Sequence, residues 1–266
     1  MRSAFLVLFA AAVAAVDHAA PAAAELVTLQ PRPGVELRLG VEARGNERAV
    51  ALLFAGGHGK IELDGAGQPQ GLRGNFLIRA RRHLAARGIG LVLVDAPSDR
   101  QGERGLAGWR LTAAHAADIG LAVRTIRQRF RRPVWLVGTS AGTASVAAAA
   151  TYLSGADRAD GVVFTSSITA TSRRSTGTVF DVALANYTGA ALVAAHEGDT
   201  CAVTPPAGAP RLLAALSGAR PKKLQMFSGG LPPKSAPCEA RSQHGFLGIE
   251  PQVMGAIADF ILRPSQ

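Results

Sequence analysis

Cysteine is nearly absent from the sequence: Cys201 and Cys238 are the only two in 266 residues. With just two thiols a metal site is not expected, and neither zinc-finger spacing nor an RNA-binding aromatic motif occurs. Beyond the N-terminus no stretch is long and apolar enough to cross a bilayer, which excludes a protein of many membrane spans. No internal repeat and no clear linker divide the chain, so a single domain is expected from about residue 25 onward. Acidic residues are also few, 19 against 29 Lys and Arg, for a formal charge of +10. That charge favours anionic surfaces or substrates. The arginines are scattered, however, with only local clusters in "RARR" (79 to 82) and "RQRFRR" (127 to 132). We read them as a solvated basic face and expect no nucleic-acid partner.

What is present begins with a short positive start at Arg2, the apolar run "AFLVLFAAAVAAV", and small residues at Ala22 and Ala24. This is the layout of a signal peptide over residues 1 to 24, with cleavage before Glu25. An uncleaved N-terminal anchor is the alternative. Cleavage removes Arg2 and Asp17 together, so the net charge is unchanged. The expected product is an exported protein, periplasmic or extracellular, with no stable membrane insertion.

Downstream, "VELRLGVEA" (35 to 43) alternates as a half-buried strand does. "RAVALLFAGG" and "GIGLVLVDAPSD" are nearly continuous aliphatic runs, suited to strands covered on both faces. Helical spacing appears in "NFLIRARRHLAARG", "TAAHAADIGLAVRTIRQRF" and "AGTASVAAAATYL". Further strands are expected in "PVWLVG", "DGVVFTSS", "AALVAAHEGD" and "KKLQMFSGG", and a last helix in "PQVMGAIADFILR". Such alternation predicts an α/β three-layer sandwich around a mostly parallel sheet.

The stretch "PVWLVGTSAGTAS" (133 to 145) carries the chemistry. A buried strand ends at Ser140 between Gly138 and Gly142, and an alanine-rich helix follows. The glycines permit a sharp turn that lifts the hydroxyl clear of the sheet at the positive end of a helix. A serine there needs a neighbouring base before it becomes a nucleophile. The sequence thus resembles the α/β-hydrolase superfamily, whose nucleophile elbow reads G-x-S-x-G and whose triad runs serine, acid, histidine in chain order.

The resemblance implies a base on a late loop before the last helix, where His244 stands in "SQHGFLGIEPQ". His83 and His115 fall inside predicted helices, and His196 lies too close to the expected acid. The acid is expected beyond a strand after the elbow, in "LVAAHEGDTCAVTPP", at Asp199, with Glu197 in reserve. Ala141, directly after the nucleophile, supplies one oxyanion amide. The second is expected from "FAGGHGK", similar to the HGGG-type oxyanion loop but with its glycines ahead of the histidine, which points to Gly57 or His58. A phosphate cradle is the rival for this loop, which has the spacing of neither nucleotide motif. In "VDAPSDR" (94 to 100) the polar residues either line the pocket or order the loop.

These residues imply a serine hydrolase acting on carboxylic esters or related acyl bonds in small molecules, with no metal or cofactor. Thioesterase, peptidase or acyltransferase chemistry uses the same residues. A non-catalytic binding protein that holds an anionic partner is the rival from another class. Little sequence remains for a lid, and "TSRRSTGTVFDVALANY" (171 to 187) is the one candidate cap. In an oxidising compartment an even cysteine pair is bridged more often than free, so a Cys201–Cys238 disulfide is expected, two separate buried thiols being the alternative.

Overall fold

A computed structural model of the chain describes residues 24–172 and 177–263. The expected signal segment, apart from Ala24, lies outside the described residues, as do positions 173–176 of the candidate cap. Eight strands form one sheet: β1 (Glu25–Arg32), β2 (Val35–Glu42), β3 (Ala49–Phe54), β4 (Ile89–Val94), β5 (Val134–Thr139), β6 (Gly161–Thr165), β7 (Ala190–His196) and β8 (Lys222–Phe227). Their spatial order is β1-β2-β4-β3-β5-β6-β7-β8. β2 runs antiparallel to β1 and β4, while all pairs from β4 to β8 are parallel. Parallel neighbours need crossovers, and the helices supply them on both faces.

Alternation along each strand divides the core in two. Val50, Leu52, Phe54, Leu136 and Phe164 face one side, against helices α3 (Ala113–Phe130), α4 (Gly142–Tyr152) and α5 (Gly208–Ala215). Leu53, Leu93, Trp135, Val137 and Leu192 face the other, against α1 (Phe76–Ala80), α2 (Arg82–Ala85) and α6 (Glu250–Ile261). The expected α/β three-layer sandwich is therefore the observed one.

Three details differ from the sequence reading. β1 was not expected; it is an edge strand with mixed exposure and no clean alternation. The helix expected over 75–88 is two short pieces. The Arg81 guanidinium donates to the Ile78 carbonyl at 2.7 Å, the acceptor the Arg82 amide would use in an unbroken helix. α5 also went unread, because Pro205, Pro206 and Pro210 suggest a loop; Pro210 lies in the first turn, where a missing N–H costs nothing. Of the candidate cap, the described part forms two single turns whose Val179, Leu184 and Tyr187 bury themselves in the core beside α4.

Candidate active site

The residues singled out from sequence gather where the parallel strands end at their carboxyl edge, the usual ligand side of such sheets. Ser140 directly follows β5 with φ 51°, the left-handed region that costs a side-chain-bearing residue about 1–2 kcal/mol. Surrounding contacts hold it there. Its amide donates to the Thr165 carbonyl at 3.0 Å, and its carbonyl accepts from the Thr143 amide (2.9 Å) and hydroxyl (2.6 Å). The two motif glycines are required by space. A Cβ on Gly142 would lie 2.0 Å from the Phe54 carbonyl oxygen, and one on Gly138 2.7 Å from the Gly142 oxygen. Any larger residue would push α4 off the end of β3.

His244 and Asp199 come from the loops after β8 and β7 and are both buried. The Asp199 carboxylate uses both oxygens. Oδ1 accepts from the Cys201 amide at 2.9 Å, and Oδ2 accepts from the Thr204 hydroxyl at 2.8 Å. His244 Nδ1 lies 3.0 Å from Asp199 Oδ2 and 3.0 Å from Thr204 Oγ1. With the Thr204 proton given to the carboxylate, Nδ1 faces only acceptors, so it carries the imidazole proton and Nε2 keeps a lone pair. Glu197, the reserve acid, is exposed and makes no contact of this kind. His196 serves the turn itself: Nδ1 accepts from the Gly198 amide at 2.9 Å, so Nε2–H donates to the Gly229 carbonyl at 3.0 Å.

The end of β6 links the serine to the histidine. Thr165 receives the Ser140 amide, and the next residue, Ser166, donates its hydroxyl to the His244 carbonyl at 2.7 Å. A second tie holds the histidine loop from the opposite side, where Arg79 donates to the Gly245 carbonyl at 2.6 Å. Phe246 anchors that loop among Phe76, Phe227 and His196.

The loop after β3 packs against the elbow, since a Cβ on Gly56 would stand 2.9 Å from the Ser140 Cβ. Gly57 has φ 59° and is exposed, and His58 is half-buried. Among the described residues, neither the Gly57 nor the Ala141 amide donates a hydrogen bond within the protein. Both are thus open to an acceptor from outside. Burial, with Lys60 and Arg110 nearby, lowers the His58 pKa and favours a neutral ring. Asp95, the first acid of "VDAPSDR", is buried and orders the loop. It accepts from the amides of Ile61 (2.8 Å), Ala96 (2.8 Å) and Leu63 (3.2 Å). Thr204 and Ser166 escaped the sequence reading, because a lone hydroxyl residue in a polar loop carries no periodic or motif signal.

Cys201 and Cys238 are bonded, with S–S 2.11 Å and Cα–Cα 4.6 Å. The bridge ties the loop of Asp199 to the loop of His244. Closing 37 residues of separation stabilises the fold by about 4 kcal/mol in the chain-entropy account. Cys201→Ser/Cys238→Ser is accordingly expected to lower the melting temperature by roughly 10 °C. Given a catalytic role for Asp199 and His244, turnover at 25 °C should fall by about tenfold, because small displacements of catalytic groups are costly in rate. Thermal melts and assays well below the transition check both; a double variant as active as the parent would detach the bridge from the site.

No protein-family model and no curated protein matches this sequence. Solved structures do. An α/β serine hydrolase without lid from Xanthomonas campestris is similar at 16% identity, covering 92% of this chain and 98% of that one, with TM-score 0.58. A dienelactone hydrolase from Anabaena variabilis matches at 15% identity over 90% and 96% of the two chains, with TM-score 0.62. A thermophilic esterase from Thermogutta terrifontis matches at 18% identity over 89% and 90%, with TM-score 0.59.

Proposed function

We propose that this chain, which has the α/β-hydrolase fold, is a serine hydrolase of small carboxylic esters. One observation carries the reading: Ser140 stands on a left-handed elbow whose backbone is tied, through Thr165 and the adjoining Ser166, to the loop of a buried His244 that lies 3.0 Å from Asp199. In the proposed reaction the Ser140 hydroxyl adds to the acyl carbonyl as His244 Nε2 takes its proton. Asp199 stabilises the imidazolium and keeps the ring oriented. The tetrahedral oxyanion is received by the Ala141 amide and an amide of Gly57 or His58. Collapse breaks the ester bond, with the His244 proton passing to the departing alcohol. Water, deprotonated by the same nitrogen, then adds to the acyl-enzyme and releases the carboxylic acid and Ser140.

The esterases and hydrolases among the similar structures support an ester over other acyl donors. One further observation bears on location: the cysteines are bridged, as suits an oxidising compartment. We therefore place the enzyme outside the cytoplasm, released by cleavage after Ala24. Fluorophosphonate treatment followed by peptide mass spectrometry tests both parts. One adduct on Ser140, in a chain that starts at Glu25, is expected. A folded protein that stays unlabelled and hydrolyses no ester in a panel of acyl lengths overturns the enzymatic reading.

A further inference from the structure

Arg110 lies in the loop between β4 and α3, and it is buried. Among the described residues no carboxylate pairs with its guanidinium, whose partners are all neutral. Nη1 donates to the Ser145 hydroxyl at 2.8 Å, and Nη2 donates to the carbonyls of Ala55 (3.0 Å) and Gly57 (3.2 Å). Nε finds no acceptor at all. An isolated buried charge is costly to keep, so its retention calls for a use. Burial pulls its pKa down only to about 9, so it is cationic at neutral pH. His115, which shares Ser145 with it at 2.9 Å, is held to about 3 by burial and by Arg110, and is neutral. Of these two residues only Arg110 carries a positive charge.

Both carbonyls it grips belong to the loop that packs on Ser140. In a planar trans peptide the N–H points opposite to the C=O. Holding the Ala55 and Gly57 oxygens thus turns the Gly56 and His58 amides away from the guanidinium. The same stretch of chain holds a third carbonyl, His58, through the Leu106 amide at 2.9 Å. Room for this grip comes from Gly59, where a Cβ would lie 2.5 Å from Arg110 Nη2.

We propose that Arg110 is a positioning residue of the hydrolytic site, aiming the His58 amide at the oxyanion and setting an uncompensated positive charge behind the loop. The proposal rests on the serine-hydrolase reading of Ser140. Both contributions act on charge that exists only in the transition state, so kcat should carry the effect rather than KM.

Arg110→Met and Arg110→Lys test it on the full chain, once fluorophosphonate labelling has established Ser140 as the nucleophile. Arg110→Met is expected to lower kcat about 100-fold with KM within about threefold, the scale of a lost oxyanion donor. Phenylboronic acid, which forms a tetrahedral adduct with a serine nucleophile, should lose affinity in step with kcat/KM. Arg110→Lys keeps the charge and should recover about tenfold of the lost kcat. A folded Arg110→Met with kcat within threefold of the parent overturns the proposal and leaves the hydrolase reading intact. So does a parallel fall in kcat and melting temperature with boronate affinity unchanged, which marks Arg110 as packing only. If Arg110→Met does not fold, Arg110→Lys decides: a kcat and boronate affinity equal to the parent's overturn the proposal. An unlabelled parent protein removes the hydrolase reading and this proposal with it.

Discussion

Ser140→Ala is expected to lower turnover of an activated short-chain ester by about 10⁶-fold, the scale seen when a serine hydrolase loses its nucleophile. The variant should fold as the parent does. Every hydrogen bond Ser140 makes to Thr165 and Thr143 uses its backbone, so alanine keeps them all. Alanine also suffers the same left-handed strain at φ 51°. Only the hydroxyl is lost. Steady-state assays, with a thermal melt on the same sample, separate chemistry from folding. A folded variant that keeps more than about a hundredth of parental turnover would falsify the assignment of Ser140, since residual catalysis from an oxyanion hole alone is far smaller.

The second large effect is expected at Asp199. Asp199→Asn should reduce kcat by about 10⁴-fold, the size found when a triad aspartate becomes asparagine. The cause is a proton count. Asparagine can still accept from the Cys201 amide through its oxygen, but its nitrogen is a donor facing His244 Nδ1. The imidazole must then accept at Nδ1 and carry its proton on Nε2, where the lone pair for Ser140 is needed. Glu197→Gln should stay within about threefold, because an exposed side chain outside this network changes no protonation state there. Comparing kcat for the two variants decides the matter. If Glu197→Gln proves the crippled one, the acid is Glu197 and the Asp199–His244 contact is only structural.

Much of the fold can be read along the chain because its signals are local. "AVALLF", "IGLVLV" and "VWLVGT" are continuous aliphatic runs, and only a strand covered on both faces buries every one of their side chains. The elbow is legible for a similar reason: a Cβ on Gly138 would meet Gly142 within the same turn, and one on Gly142 would meet the end of β3. Where local preference and surroundings disagree, the reading fails. The prolines around α5 and the mixed exposure of β1 hid both elements, and a helix that periodicity alone runs on to Gly88 is interrupted at Arg81, whose side chain takes the Ile78 carbonyl.

The sequence by itself determined the strand-and-helix alternation and the serine elbow, and it offered His244 as a candidate base. It narrowed the candidate acid to two carboxylates two positions apart, Glu197 and Asp199, and could go no further, since spacing does not say which side chain turns inward. Tertiary structure decided that: the turn after β7 buries Asp199 against His244 and Thr204 and leaves Glu197 on the surface. It likewise assigned Asp95 to the loop amides and put Arg110 behind the loop that faces Ser140. These contacts link residues from 34 to 55 positions apart where separations are printed for Asp95 with Ile61, Asp199 with His244, and Arg110 with Ala55. Over such distances no periodicity or propensity along the chain relates one residue to the other; only the crossing of the sheet brings them together.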